Sequence, residues 1–101
     1  MRIIARPILM DYWKKHRREK GSLESWYKVV QKADWTKPSD LKKTFNSVDP
    51  YRQDNRLYHI FNVGGNHTRV VANIHFNTKR VYIRCVLTHG EYSKDKWKET
   101  L

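Results

Sequence analysis

The sequence is short of the features that define several large classes of protein. It holds one cysteine, Cys85, so an intrachain disulfide and a thiolate metal cluster are both excluded. Standing alone in an apolar run, Cys85 reads as core filler. No stretch approaches the roughly 18 apolar residues of a membrane span. The apolar run within Met1-Arg2-Ile3-Ile4-Ala5-Arg6-Pro7 is too short for a signal peptide. A soluble, cytoplasmic protein with no membrane association is the expectation. No repeat or low-complexity segment occurs, and no two helices joined by a glycine turn spell a helix-turn-helix, which weakens a DNA-binding reading. His59 and His75 lack a third ligand at metal spacing, so no zinc or other metal site is expected.

Acidic residues are scarce as well. Ten Asp and Glu stand against 21 Lys and Arg, a formal charge of +11. So large an excess repels itself unless something anionic is bound, and it points to nucleic acid, with an acidic protein as the other partner that fits. What is plentiful is aromatic: four Trp, six Tyr and three Phe are enough to fill a core in a chain of 101 residues. That length suits one compact domain spanning residues 1–101 and is too short for two.

Residues 2–5 read as a short strand. Pro7 then opens a helix in which Leu9, Tyr12, Trp13 and His16 recur at helical spacing, with Gly21 as its expected end. Its last turns, Lys14-Lys15-His16-Arg17-Arg18-Glu19-Lys20, place cations where the helix dipole favours them, so a solvated face and an RNA contact are equal readings. Ser22 is the expected cap of a second helix, whose stripe Leu23, Trp26, Tyr27, Val30 and Ala33 should pack on a sheet, with Trp35 beside it. Ser39 caps a single turn through Phe45, and residues 46–56 read as a polar loop around Asp49-Pro50. Residues 57–62, 68–76 and 80–88 then alternate with period two and read as three consecutive antiparallel strands. The fold class is α+β, a mainly antiparallel sheet with helices on one face.

Strand parity assigns the two faces. Val70, Ala72, Ile74 and Phe76 should face the helices, with Arg69, Val71, Asn73 and His75 opposite. On the last strand Val81, Ile83, Cys85 and Leu87 share one side, and Arg84 faces away from them, toward Arg69. Two guanidinium groups converging on an open face would suit a phosphate. Directly after comes Thr88-His89-Gly90-Glu91-Tyr92, with an imidazole, a carboxylate and a phenol. RNA is cut without metal when a base takes the 2′-OH proton, an acid protonates the departing 5′-oxygen and cations stabilise the charge on phosphorus. The expected catalytic set is therefore Arg69, Arg84, His89, Glu91 and Tyr92, with the base and acid roles of His89 and Glu91 left open. Asn66, His67, Asn73 and Lys94 complete the expected RNA-binding surface. Gly64 and Gly65 read as turn residues.

Two segments carry a family resemblance: Phe61-Asn62-Val63-Gly64-Gly65-Asn66-His67-Thr68-Arg69-Val70-Val71 and Val81-Tyr82-Ile83-Arg84-Cys85-Val86-Leu87-Thr88-His89-Gly90-Glu91-Tyr92 resemble the paired signatures of the HigB toxins. Trp35, Lys37-Pro38-Ser39-Asp40-Leu41-Lys42 and Phe45 are similar to that family too. The resemblance implies a compact RelE-like domain with a curved sheet. It implies an mRNA interferase of a type II toxin–antitoxin system that needs no cofactor, acts on mRNA at the ribosome, and is restrained by a HigA-type antitoxin with a helix-turn-helix domain. By position, Arg69 and Arg84 match family arginines on the central strands, and Tyr92 falls where related enzymes carry a functional aromatic or basic residue. RelE-type relatives often use several cations and a tyrosine with little conventional acid–base chemistry. The competing reading is a non-catalytic RNA- or ribosome-binding module, for which charge and aromatic residues suffice.

Overall fold

The computed structural model describes residues 1–65 and 67–101. Its frame is a five-stranded sheet of β1 (Arg2–Ile4), β2 (Asp49–Gln53), β3 (Arg56–Val63), β4 (Thr68–His75) and β5 (Arg80–Thr88), in the spatial order β1-β5-β4-β3-β2. All neighbours are antiparallel except β1, which lies parallel to β5. The expected three-strand meander is its centre. β2 is a strand where the sequence suggested loop. It is an edge strand, so Pro50 withholds no hydrogen bond that the sheet needs, and its polar, charged residues blunt the edge. Asp54 and Asn55, both at positive φ, close the two-residue turn to β3.

Helices α1 (Arg6–Lys15), α2 (Lys20–Lys32) and α3 (Pro38–Thr44) pack on one sheet face. Leu9, Tyr12 and Trp13 of α1 and Leu23, Trp26 and Val30 of α2 form one core with Phe61, Val63, Val70, Ala72, Ile74, Val81 and Ile83. The first helix stops six residues before Gly21. His16 leaves helical geometry at φ −127° and ψ 68°, a 3-10 turn at Arg17–Glu19 follows, and Gly21 lies inside α2. Ser22 therefore does not cap; Glu19 holds the cap position, without a side-chain hydrogen bond.

The parity read for β4 holds, and that for β5 holds only to Ile83. The register runs Val71 to Cys85 and then Ala72 to Ile83, so Arg84 is the extra residue of a β-bulge. The bulge moves Cys85 and Leu87 off the helical face, into a second apolar cluster with Tyr58, Ile60, Val71 and Trp97. Trp97 comes from a 3-10 turn (Lys96–Thr100) that follows α4 (His89–Ser93) and covers part of the face the three long helices leave open.

Candidate RNA-binding site

The site is built where β4 begins, β5 ends and α4 starts. At Gly64 and Gly65 the chain takes φ of 63° and 67°, the left-handed region that favours glycine, and the Glu19 carboxylate lies against Gly64 where a β-carbon would displace it. Thr68 opens β4 fully buried, its hydroxyl 3.2 Å from the Tyr12 phenol. Burial raises the Tyr12 pKa, against the lowering effect of the Thr68 hydrogen bond. This buried bond ties α1 to the strand residue that precedes Arg69.

Arg69 is 8% exposed, an unusual position for a guanidinium. Among the described residues the ion pairs are Lys79–Asp34 and Lys98–Asp95, and neither offers Arg69 a carboxylate. Instead its guanidinium carbon sits 5.2 Å from the centroid of the Tyr92 ring, and Nη2 stands 3.5 Å from His89 Nδ1. Nη1 is buried with no hydrogen-bond partner. Arginine can only donate, so His89 must accept at Nδ1, which places the proton of the neutral ring on Nε2. Tyr92 in turn lies flat against Trp97, centroids 5.4 Å apart and planes within 17°, and the Trp97 indole N–H donates to the Tyr92 carbonyl at 3.0 Å. Tyr92 is thus held between Arg69 and Trp97.

Glu91 is engaged elsewhere. Its carboxylate accepts the Thr88 backbone N–H at 2.9 Å, and the Glu91 N–H donates to Thr88 Oγ1 at 3.1 Å, a reciprocal cap for α4. The sequence spells this cap as Thr88-His89-Gly90-Glu91, a signal that a search for acid–base pairs passes over. The His89 N–H donates to the His67 carbonyl at 3.1 Å, which brings the two histidines together through the backbone, with the His67 side chain exposed.

The structure thus brings Arg69, His89 and Tyr92 together, with Glu91 fixing the turn that carries the last two. Arg84 does not converge with Arg69, as the sequence suggested. Arg69 pairs with Leu87, while Arg84 protrudes exposed from the bulge between the Val71–Cys85 and Ala72–Ile83 rows. Asn73 lies near Arg84 on the same face, both lining one cavity. Lys94 is exposed just after α4, beside a smaller cleft shared with Cys85, Glu91 and Trp97. Asn66 lies outside the described residues. Trp97, which sequence reading passes over, supports the site together with Tyr12 and Thr88, to which it gives no part in holding Arg69 and Tyr92. Burial pushes the Cys85 thiol up to about 11. Among the described residues no group of three or more His, Cys, Asp or Glu could hold a metal ion, and no helix is long and apolar enough to cross a membrane.

The chain is thus a small basic α+β domain whose sheet carries a nearly buried arginine with no carboxylate partner among the described residues. Comparison with known proteins gives this class a family. Residues 19–95 match the HigB toxin family, described as a RelE-like toxic component of a toxin–antitoxin system. The chain is 38% identical over 92 residues to the mRNA interferase toxin HigB of Escherichia coli K12, covering 91% of this chain and 88% of that protein. It is 31% identical over 94 residues to the mRNA interferase HigB of Escherichia coli O6:H1 strain CFT073, covering 93% and 90%. A protein of the same name from Shigella flexneri is 38% identical over 92 residues, with 91% and 88% covered. The chain belongs to the HigB toxin family.

Proposed function

We propose that this protein is an mRNA interferase, an endoribonuclease whose scissile phosphate rests on Arg69. The observation that supports this most is the state of Arg69: a guanidinium with Nη1 buried and unpartnered, and no carboxylate in reach among the described residues. A buried cation without a counter-charge is costly, and a phosphate at the exposed edge of the guanidinium would supply the missing charge. The naming of the relatives as mRNA interferases supports the same substrate.

In this reading the 2′-oxygen attacks the adjacent phosphorus, the bond to the 5′-oxygen breaks, and the products are a 2′,3′-cyclic phosphate and a 5′-hydroxyl. Solvent takes the proton that leaves the 2′-OH and returns one to the 5′-oxygen, while His89, accepting from Arg69 at Nδ1, keeps its proton and offers Nε2–H as a hydrogen-bond donor to the departing oxygen. Arg69 stabilises the charge that builds on the phosphoryl oxygens. Tyr92 supports Arg69 through its ring and offers a surface for a splayed base. Glu91 is a positioning residue that orients His89 through the cap. Arg84 contributes positive potential further along the face.

We infer further that the mRNA is cut during translation on the ribosome, and that the restraining partner is a HigA-type antitoxin with a helix-turn-helix domain. The +11 charge supports an anionic partner in both cases. Primer extension on transcripts from induced cells is the test. Wild-type protein should give discrete new 5′ ends in translated regions, and Arg69→Ala should give none while arresting growth no more than an empty vector. Growth arrest without new 5′ ends in the wild type would favour the non-catalytic RNA- or ribosome-binding module.

A further inference from the structure

A cavity of about 800 Å³ opens on the same sheet face as Arg69, at the end remote from α4. Its lining includes Arg56, Tyr58, Asn73, His75, Tyr82 and Arg84, and not one carboxylate. The polar groups are locked to one another. The Asn73 amide N–H donates to the Leu57 carbonyl at 2.8 Å, which turns Oδ1 toward His75 Nε2 at 2.6 Å. His75 Nε2 must then be the donor, and Nδ1 of the neutral ring remains an acceptor. The His75 and Tyr82 rings meet edge to face, centroids 4.9 Å apart, and Arg80 Nη1 donates to the Tyr82 hydroxyl at 3.5 Å. Arg84, two residues along β5 from Tyr82, lies on this face beside them.

Braced aromatic rings, a fixed amide and imidazole edge, and cations free of carboxylates suit a ligand with a planar polar ring and a phosphate. That is a nucleotide. Asn73 lies four residues along β4 from Arg69 on the same face, about 13 Å at the rise of a strand. An extended single strand of a few nucleotides spans that distance. We propose that this cavity is a base-reading subsite: an RNA whose scissile phosphate lies on Arg69 lays a flanking base against Tyr82 and His75, with a phosphate on Arg84 or Arg56. The subsite selects which sequences are cut. This inference rests on the interferase reading, and the experiment keeps the two separable.

The first arm maps 5′ ends genome-wide in cells that express wild type, Tyr82→Ala or His75→Ala. Wild type should show a base bias at a fixed offset from the cut, and each variant should still cut but at redistributed sites, with that bias reduced about tenfold, the scale of one stacked base. Unbiased cutting by the wild type, or an unaltered bias in both variants, overturns the subsite while leaving the interferase reading intact. An absence of cuts by the wild type overturns the interferase reading alone, because the second arm needs no cleavage. It measures fluorescence anisotropy of a labelled single-stranded RNA hexamer, and of an abasic phosphodiester of equal length, on purified Arg69→Ala protein. Adding Tyr82→Ala should weaken the RNA about tenfold and leave the abasic strand unchanged. Equal losses for both ligands, or none, overturn the proposal, as would preferential binding of an acidic peptide over RNA at this cavity. His75→Ala, at an exposed position, serves as a second variant should Tyr82→Ala fail to fold, and should likewise weaken the RNA while leaving the abasic strand unchanged.

Discussion

Arg69 lies over the Tyr92 ring, the guanidinium carbon 5.2 Å from the ring centroid, in a part of the molecule where only 8% of the arginine reaches solvent. The ring supplies the electron-rich surface that a carboxylate would supply elsewhere, and it leaves Nη1 of the guanidinium without a partner. A carboxylate would have neutralised the site. An aromatic ring keeps it positive.

From that contact we expect Arg69→Met to separate stability from function. The substitution keeps much of the volume and removes a buried charge without a counter-ion, so unfolding free energy from urea titration should be unchanged or higher by about 1 to 2 kcal/mol. Cleavage should fall by at least about 100-fold, the scale expected for loss of an electrostatic stabiliser at the reacting group. A large loss of stability with activity retained would place the arginine in the structure rather than the site.

Glu91 separates positioning from chemistry. Glutamine can make the same cap, so Glu91→Gln should retain wild-type cleavage within about threefold. Thr88→Ala should lower stability by about 1 kcal/mol. A loss of about 100-fold on Glu91→Gln, measured on a synthetic RNA or in a translation extract, would return Glu91 to an acid–base role.

Trp97 supports Tyr92 from behind, by ring contact and by its hydrogen bond to the Tyr92 carbonyl. Trp97→Ala should destabilise by about 3 kcal/mol or more, and Trp97→Phe by less. If the support matters to the site, cleavage by Trp97→Phe at a temperature where it is fully folded will fall below that of the wild type.

His59 carries the pH dependence. It is 4% exposed, Nδ1 has no partner, and desolvation holds its pKa below the ordinary 6.5. The unfolded chain therefore binds this proton more readily than the fold does. The contribution to stability is complete above about pH 6.5, and falls as pH drops from there until the folded value is passed. Urea midpoints at pH 7.5, 6.0 and 5.0 should decline in the wild type, and less steeply in His59→Leu. Equal slopes would remove His59 as the cause.

The parts of the fold legible in the sequence are those where one local pattern runs uninterrupted. On β4 Val70, Ala72 and Ile74 recur at every second position against Arg69, Asn73 and His75, so both faces follow from parity. On β5 the same logic fails beyond Ile83, because a bulge adds a residue that parity cannot count. β2 carries Asp49, Pro50, Arg52 and Gln53 and has no apolar alternation, since an edge strand need not bury a face. Arg69 and Tyr92 could be proposed from sequence. Their contact could not, because it depends on Trp97 returning across the sheet from a tail that resembles a polar terminus. The cap made by Glu91 is passed over for a different reason: a carboxylate near a histidine suggests catalysis, while its position three residues after Thr88 also sets a cap.

The bulge at Arg84 has a mechanical consequence. Because it hands the second half of β5 to a separate apolar cluster, the tail that bears Trp97 is fastened to Tyr58, Ile60, Val71 and Leu87 and not to the main core beneath the helices. The molecule therefore has two sets of fastenings on opposite sides of one sheet. Native-state hydrogen exchange should show the tail opening with a smaller free energy than the strands behind it. Each such opening takes the backing from Tyr92 while the scaffold stays whole.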